Sequence, residues 1–199
     1  MNYLKLFETF YQKNFPLIVV DVQPGYEDDI DFDIKEFCEY LNEQEKILYL
    51  FNGPDLGYED EYEISYWLKN NGLNENSNIT FFEKNYAFFR DLMDTTLDDN
   101  EIIKIGKFLI NKNINDSRDI SDKDKEKFCK EHNIDNDYIG DNHFFAIPDV
   151  KDFLEIHLNK HSPYTPELIG GGKTECLKEV ELLLQMMNID YDLNRDFIF

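Results

Sequence analysis

Three short apolar runs constrain this chain more than any other feature. "FPLIVVDVQ" carries a β-branched run at Leu17–Val22 with Asp21 near its carboxyl end, and "KILYLF" and "NITFFEK" repeat the pattern further along. Short apolar runs bounded by turn residues fit strands buried on both faces, the form that parallel sheets take. Parallel strands need crossovers, and the segments between these runs have helical period. Ile30, Ile34, Phe37, Cys38 and Leu41 share one face of "DDIDFDIKEFCEYLNEQ", and "EYEISYWLKNNG" ends on the stop signal Gly72. "AFFRDLMD", "NEIIKIGKFLINK", "VKDFLEIHLNK" and "CLKEVELLLQMM" read as further helices, with a strand at "ELIGG" and a closing strand at "DFIF". The expected fold class is α/β: three layers, α/β/α, around a mostly parallel sheet.

A length of 199 residues suits one domain, residues 1–199, with a full core. Residues from about 113 to 141 are polar and charge-rich, and they read as a helical insertion beside the sheet rather than a linker. The formal charge of −22 disfavours phosphate backbones and anionic membranes, so neither nucleic acid nor membrane is expected as a partner. Cys38, Cys129 and Cys176 form no spaced pair and no secretory leader is visible, so free thiols and a cytoplasmic location are expected.

"ELIGGGKTECLKEVELLL" holds the candidate chemistry. A phosphate-binding loop would need glycine where Glu167 stands, and a dinucleotide loop would need it where Glu175 stands, so both nucleotide readings fail. What remains is strand, flexible glycine turn, helix. Thr174 is the expected N-cap, which puts Cys176 in the first helical turn. There the helix dipole should lower the thiol pKa, and the N–H groups of Gly172 and Cys176 can face a developing oxyanion. The same segment also fits a structural cysteine packed at a tight turn. Asp21 and Lys84 bear on that choice. Each is an ionisable group at the end of an apolar strand, where single burial is costly and pairing is expected. Asp21 as proton acceptor, Lys84 as electrostatic support and Cys176 as nucleophile form a coherent set.

Three segments, in order, resemble the isochorismatase-like cysteine hydrolases. "DVQPGY" is similar to that family's D-x-Q-x-x-F opening, and "EKNYAFF" to its lysine segment, one residue shorter. "IGGGKTECLKEVELLLQMM" is similar to its G-x-x-[ST]-x-C-V segment, with Leu177 in place of the valine. The resemblance implies an Asp21–Lys84–Cys176 triad that hydrolyses a C–N bond of a small amide-like molecule through a thioester, without a cofactor. The D-x-H stretch of the metal-binding nicotinamidases is missing from "FNGPDLGYEDEYEISYW", so no metal site of that type is implied. The gap from Lys84 to Cys176 is longer than the family's. The Asn/Asp/Lys/Ile-rich composition resembles phage-encoded members, which would place the protein in a host cytoplasm. The other expectation from this fold is a catalytically silent member that uses its acidic surface as a binding module. Self-association stays open.

Some residues are candidates on weaker grounds. Tyr26, Tyr58, Trp67 and Tyr86 follow strand ends and suit pocket walls, although Trp67 shares an apolar helix face with Ile64 and Leu68. Arg118 in "DSRD" suits a carboxylate clamp. His157 and His161 have a metal-like spacing, but the helix should end between them. Cys38 and Cys129 read as packing residues.

Overall fold

In the computed structural model the sheet is all-parallel, with strands β1 (Pro16–Val20), β2 (Lys46–Asn52), β3 (Ile79–Lys84), β4 (Glu167–Gly170) and β5 (Asp192–Leu193). Residues 16–84, 89–114, 119–139, 147–158 and 165–199 are described. The strand order is β3-β2-β1-β4-β5. β1 is central: Val20 is in register with Leu50 of β2 on one side and Gly170 of β4 on the other. The order reverses at β1, and in such sheets ligands bind beyond the carboxyl ends of the strands that flank the reversal, here β1 and β4.

Side chains alternate between the two faces as the two-residue period requires. Ile18, Val20, Leu48, Leu50 and Leu168 enter one buried cluster, and Leu17, Val19, Ile47, Tyr49, Phe51 and Ile169 enter the other. Helices α1 (Ile34–Asn42) and α2 (Glu61–Asn70) cover the second face. The first is covered by α3 (Arg90–Met93), α4 (Asp99–Lys112), α5 (Asp122–His132), α6 (Ile147–His157) and α7 (Cys176–Met187). Crossovers on opposite faces either side of β1 are what right-handed connections require of this order. Many of the acidic and amide residues serve as caps. Asp60 and Asp98 build capping boxes with Glu63 and Glu101, and Asn113, Asn133 and Asn188 take left-handed conformations that end α4, α5 and α7.

The architecture is the expected α/β/α arrangement, with two differences in detail. β1 stops at Val20, so Asp21 lies just beyond the strand rather than within it. The closing strand is Asp192–Leu193, not "DFIF". Asn194 caps a short 3-10 turn at Arg195–Phe197, and the rings of Phe197 and Phe199 pack on Phe32 beside α1. Burying aromatic rings outweighs extending the sheet edge there. The charged segment after α4 holds α5, and its described residues are built into the main core. Ile114, Ile120, Phe128, Cys129, Ile134 and Ile139 share one buried cluster with Val20 and Leu184, and Phe128 stacks on Phe108 at 4.3 Å. Among the described residues no helix is long and apolar enough to cross a membrane.

A core that runs through the insertion makes a direct test. Phe128→Ala should lower global unfolding stability by about 3 kcal/mol in a single denaturant transition. A separate early transition that leaves the main one unmoved would show that the insertion folds on its own.

Candidate active site

Asp21 is the first residue past β1. Its backbone turns left-handed at φ 50°, which aspartate tolerates, and its N–H donates to Leu50 O at 2.9 Å. Lys84 is the last residue of β3, in register with Asn52 of β2. The extended lysine reaches across the end of β2, and Lys84 Nζ stands 2.6 Å from Asp21 Oδ2. Both side chains are 1% exposed. Burial by itself would lower the Lys84 pKa, but the charges of Asp21, Cys176 and Glu179 and the Asp21 hydrogen bond outweigh it and hold the ammonium above its usual range. Around the pair, Gln23 is buried and fastens the loop after β1 to β2. Its Nε2 donates to Asn52 O (3.1 Å) and its Oε1 accepts from Asn52 N (3.0 Å). The Tyr49 hydroxyl donates to Val22 O beneath the same loop.

The glycine turn brings Cys176 to this place. Gly170 has φ 80°, and a β-carbon there would lie 2.4 Å from Val20 O. Gly171 has φ 64°, and a β-carbon would lie 2.9 Å from Leu177 N. Close approach to β1 and to the helix start therefore demands glycine at both positions. The turn closes with Glu175 N donating to Gly172 O at 2.9 Å, and residues 171–173 are tied to Phe199 through Lys173 N to Phe199 O (3.0 Å) and Phe199 N to Gly171 O (3.4 Å). Cys176 is the first residue of α7, so its N–H has no intrahelical acceptor. No backbone hydrogen bond engages the N–H of Gly172 or Cys176 among the described residues. Thr174 is not the N-cap. Glu175 holds that position without a capping hydrogen bond, and its carboxylate pairs with Arg90 at 2.8 Å.

Cys176 is half-buried, in contrast to Cys38 and Cys129, which pack in the core as expected. Its thiol pKa does not fall as the helix position suggested; it is pushed up to about 12. Burial is the largest cause, followed by the Asp21 charge. Lys84 opposes both, while the Glu179 charge raises it further. A helix terminus contributes about 1 kcal/mol, too little to offset a desolvated thiol beside a carboxylate. The resting sulfur is therefore held as a thiol. Asp21 Oδ1 has no hydrogen-bond partner among the described residues, so it is open to take a proton.

Glu179 belongs to the same cluster, and sequence reading did not single it out. It lies one turn after Cys176 on α7, 1% exposed, with Oε1 accepting from Phe89 N at 2.8 Å and Oε2 without a partner among the described residues. Burial, only partly countered by Lys84 and the Phe89 N–H, raises its pKa to about 7. The available signal was the three-residue spacing from Cys176, which puts both on one helix face.

Tyr26 walls the site beside Tyr58, with ring centroids 4.8 Å apart, and accepts a hydrogen bond from Asn52 Nδ2 at 2.9 Å. Its hydroxyl is held well above the usual tyrosine range by burial, hydrogen bonding to Tyr58 and the charges of Asp21 and Cys176. Trp67 packs with the α1–α2 cluster. Tyr86, Arg118 and His161 lie outside the described residues. Among the described residues no three His, Cys, Asp or Glu side chains gather as a metal site would require.

Fold and cluster together define a parallel α/β protein with a buried acid–lysine pair and a cysteine at its topological switch point. No protein-family model matches the chain, nor does any curated protein or solved structure.

Breaking the buried pair from one side should be costly. Lys84→Met leaves Asp21 without its counter-ion and should cost about 3–5 kcal/mol in urea unfolding. Adding Asp21→Asn to that variant should recover a large part. Strictly additive losses would mean that the two groups do not act as a pair.

Proposed function

We propose that the protein is a cysteine hydrolase that cleaves the C–N bond of a small amide-like substrate, of the isochorismatase-like kind that its motifs resemble. The observation that carries this reading is the buried Lys84–Asp21 pair at the carboxyl end of a parallel sheet, with Cys176 near enough for the Asp21 and Lys84 charges to act on its thiol. In the reaction, Asp21 takes the Cys176 proton as sulfur attacks the carbonyl carbon. Lys84 keeps the buried anions tolerable, and the N–H groups of Gly172 and Cys176 receive the oxyanion. Asp21 then gives its proton to the departing nitrogen as the C–N bond breaks, leaving a thioester and an amine. Water adds to the thioester with Asp21 as base, the C–S bond breaks, and the proton returns to sulfur. The sum is amide plus water to carboxylic acid plus amine. Tyr26 and Tyr58 form an amphipathic wall for a small substrate, and a cytoplasmic setting, in a phage-infected host as the compositional likeness implies, suits a free thiol.

The raised thiol pKa favours a second reading, in which the fold is kept as a catalytically silent binding module. The two differ in one measurement. Incubation with a panel of small primary amides and activated esters, followed by intact-protein mass analysis, should reveal an acyl adduct on Cys176 and release of amine. Cys176→Ala should abolish both while costing about 1 kcal/mol or less of stability, as expected where a residue is kept for reactivity rather than packing. No adduct and no release across the panel, with a larger stability loss in the alanine variant, would establish the silent module.

A further inference from the structure

The charged side chains buried among the described residues are one cation, Lys84, and two carboxylates, Asp21 and Glu179. Lys84 is committed to Asp21 at 2.6 Å. Glu179 is thus the surplus acid. Its Oε2 is buried without a hydrogen bond among the described residues, and its Oε1 is spent on Phe89 N. A buried carboxylate with a bare oxygen and no cation of its own is held more cheaply as the neutral acid. It also sits one helical turn from the sulfur, on the same helix.

We propose that Glu179 is a positioning residue that carries a proton in the resting protein and, on releasing it to solvent, holds back ionisation of the Cys176 thiol. This rests on the nucleophile reading above and extends it to regulation of the same site. Among the described residues the groups that face Glu179 are Lys84 from β3, Asp21 from the end of β1, Arg90 from α3 and Cys176 on its own helix. Neutral Glu179 leaves the Lys84 charge to Asp21 and the sulfur. Ionised Glu179 competes for that charge and adds a like charge beside the developing thiolate, so it raises the thiol pKa, the direction already noted for this pair. The release is centred near pH 7. Above that point the site should be less ready to form thiolate than a fixed neutral residue would allow.

The test follows alkylation of Cys176 by iodoacetamide against pH, read by peptide mass analysis with Cys38 and Cys129 as references, in wild type and Glu179→Gln. The wild-type rate should rise with pH, flatten around pH 7 as Glu179 ionises, and then resume. Glutamine fixes the neutral form, so its profile should climb without the shoulder. At about pH 8.5 the variant should react about tenfold faster, the change produced by one pKa unit in the thiol. At about pH 5.5, where both carry a neutral group, the two rates should agree. Parallel profiles, or a native Cys176 that no pH labels, overturn the proposal. In case the variant does not fold, a carboxyl titration of wild-type Glu179 by carbon-13 NMR decides independently: a midpoint near pH 7 supports it, and one below about pH 5, the ordinary glutamate range, overturns it. A gated thiol that releases no amine from any amide keeps this inference and defeats the hydrolase reading. Amine release with parallel profiles does the reverse.

Discussion

The buried contact between Lys84 and Asp21 depends on three strands at once. β1 must end at Val20, β2 must run to Asn52, and β3 must hold Lys84 in register with it. Two desolvated charges are tolerable only at hydrogen-bonding distance, so the geometry of the sheet and the electrostatics of the site are one problem. A shift of one residue between β2 and β3 would turn Lys84 to the other face and strand Asp21 without a counter-ion. The apolar faces of the strands favour this register through packing, and the ion pair penalises the alternatives. Gln23 and Tyr49 then fix the loop that follows Asp21.

The glycine turn is shaped by a different constraint. Gly170 and Gly171 let β4 pass against Val20 and let α7 begin almost at once, which aims the first turn of the helix at the end of β1. Proximity to Asp21 follows from that, and so does the high thiol pKa, since the same closeness that offers a proton acceptor also supplies a repelling charge. A thiol arranged in this way stays protonated at rest.

Much of this was legible beforehand, for physical reasons. Strands buried on both faces leave uninterrupted apolar runs, so an ionisable residue at the end of one, such as Asp21 or Lys84, stands out. Cys176 was visible because glycines and helical period frame it. The parts that were missed depend on distance rather than pattern. A glutamate in the first turn of a helix, such as Glu179, ordinarily reads as a solvated partner of the dipole, and only the packing of α7 against the sheet buries it. Thr174 had the chemistry of a cap, yet the turn places Glu175 there, where Arg90 holds its side chain. The sign of the thiol shift could not be read from helix position, because burial and a neighbouring carboxylate decide it. "DFIF" had strand composition, but its rings had a better surface to cover.

Those rings give the turn a second attachment. Phe197 and Phe199 rest on the α1 side of the sheet, while Cys176 heads a helix on the opposite side. The backbone of Phe199 is bonded in both directions to the glycine turn, through Gly171 O and Lys173 N. The turn is thus a joint between two layers that the sheet otherwise keeps apart. Loosening of the aromatic layer would slacken the same backbone that places Cys176, so the position of the sulfur is mechanically tied to packing on the opposite face of the sheet.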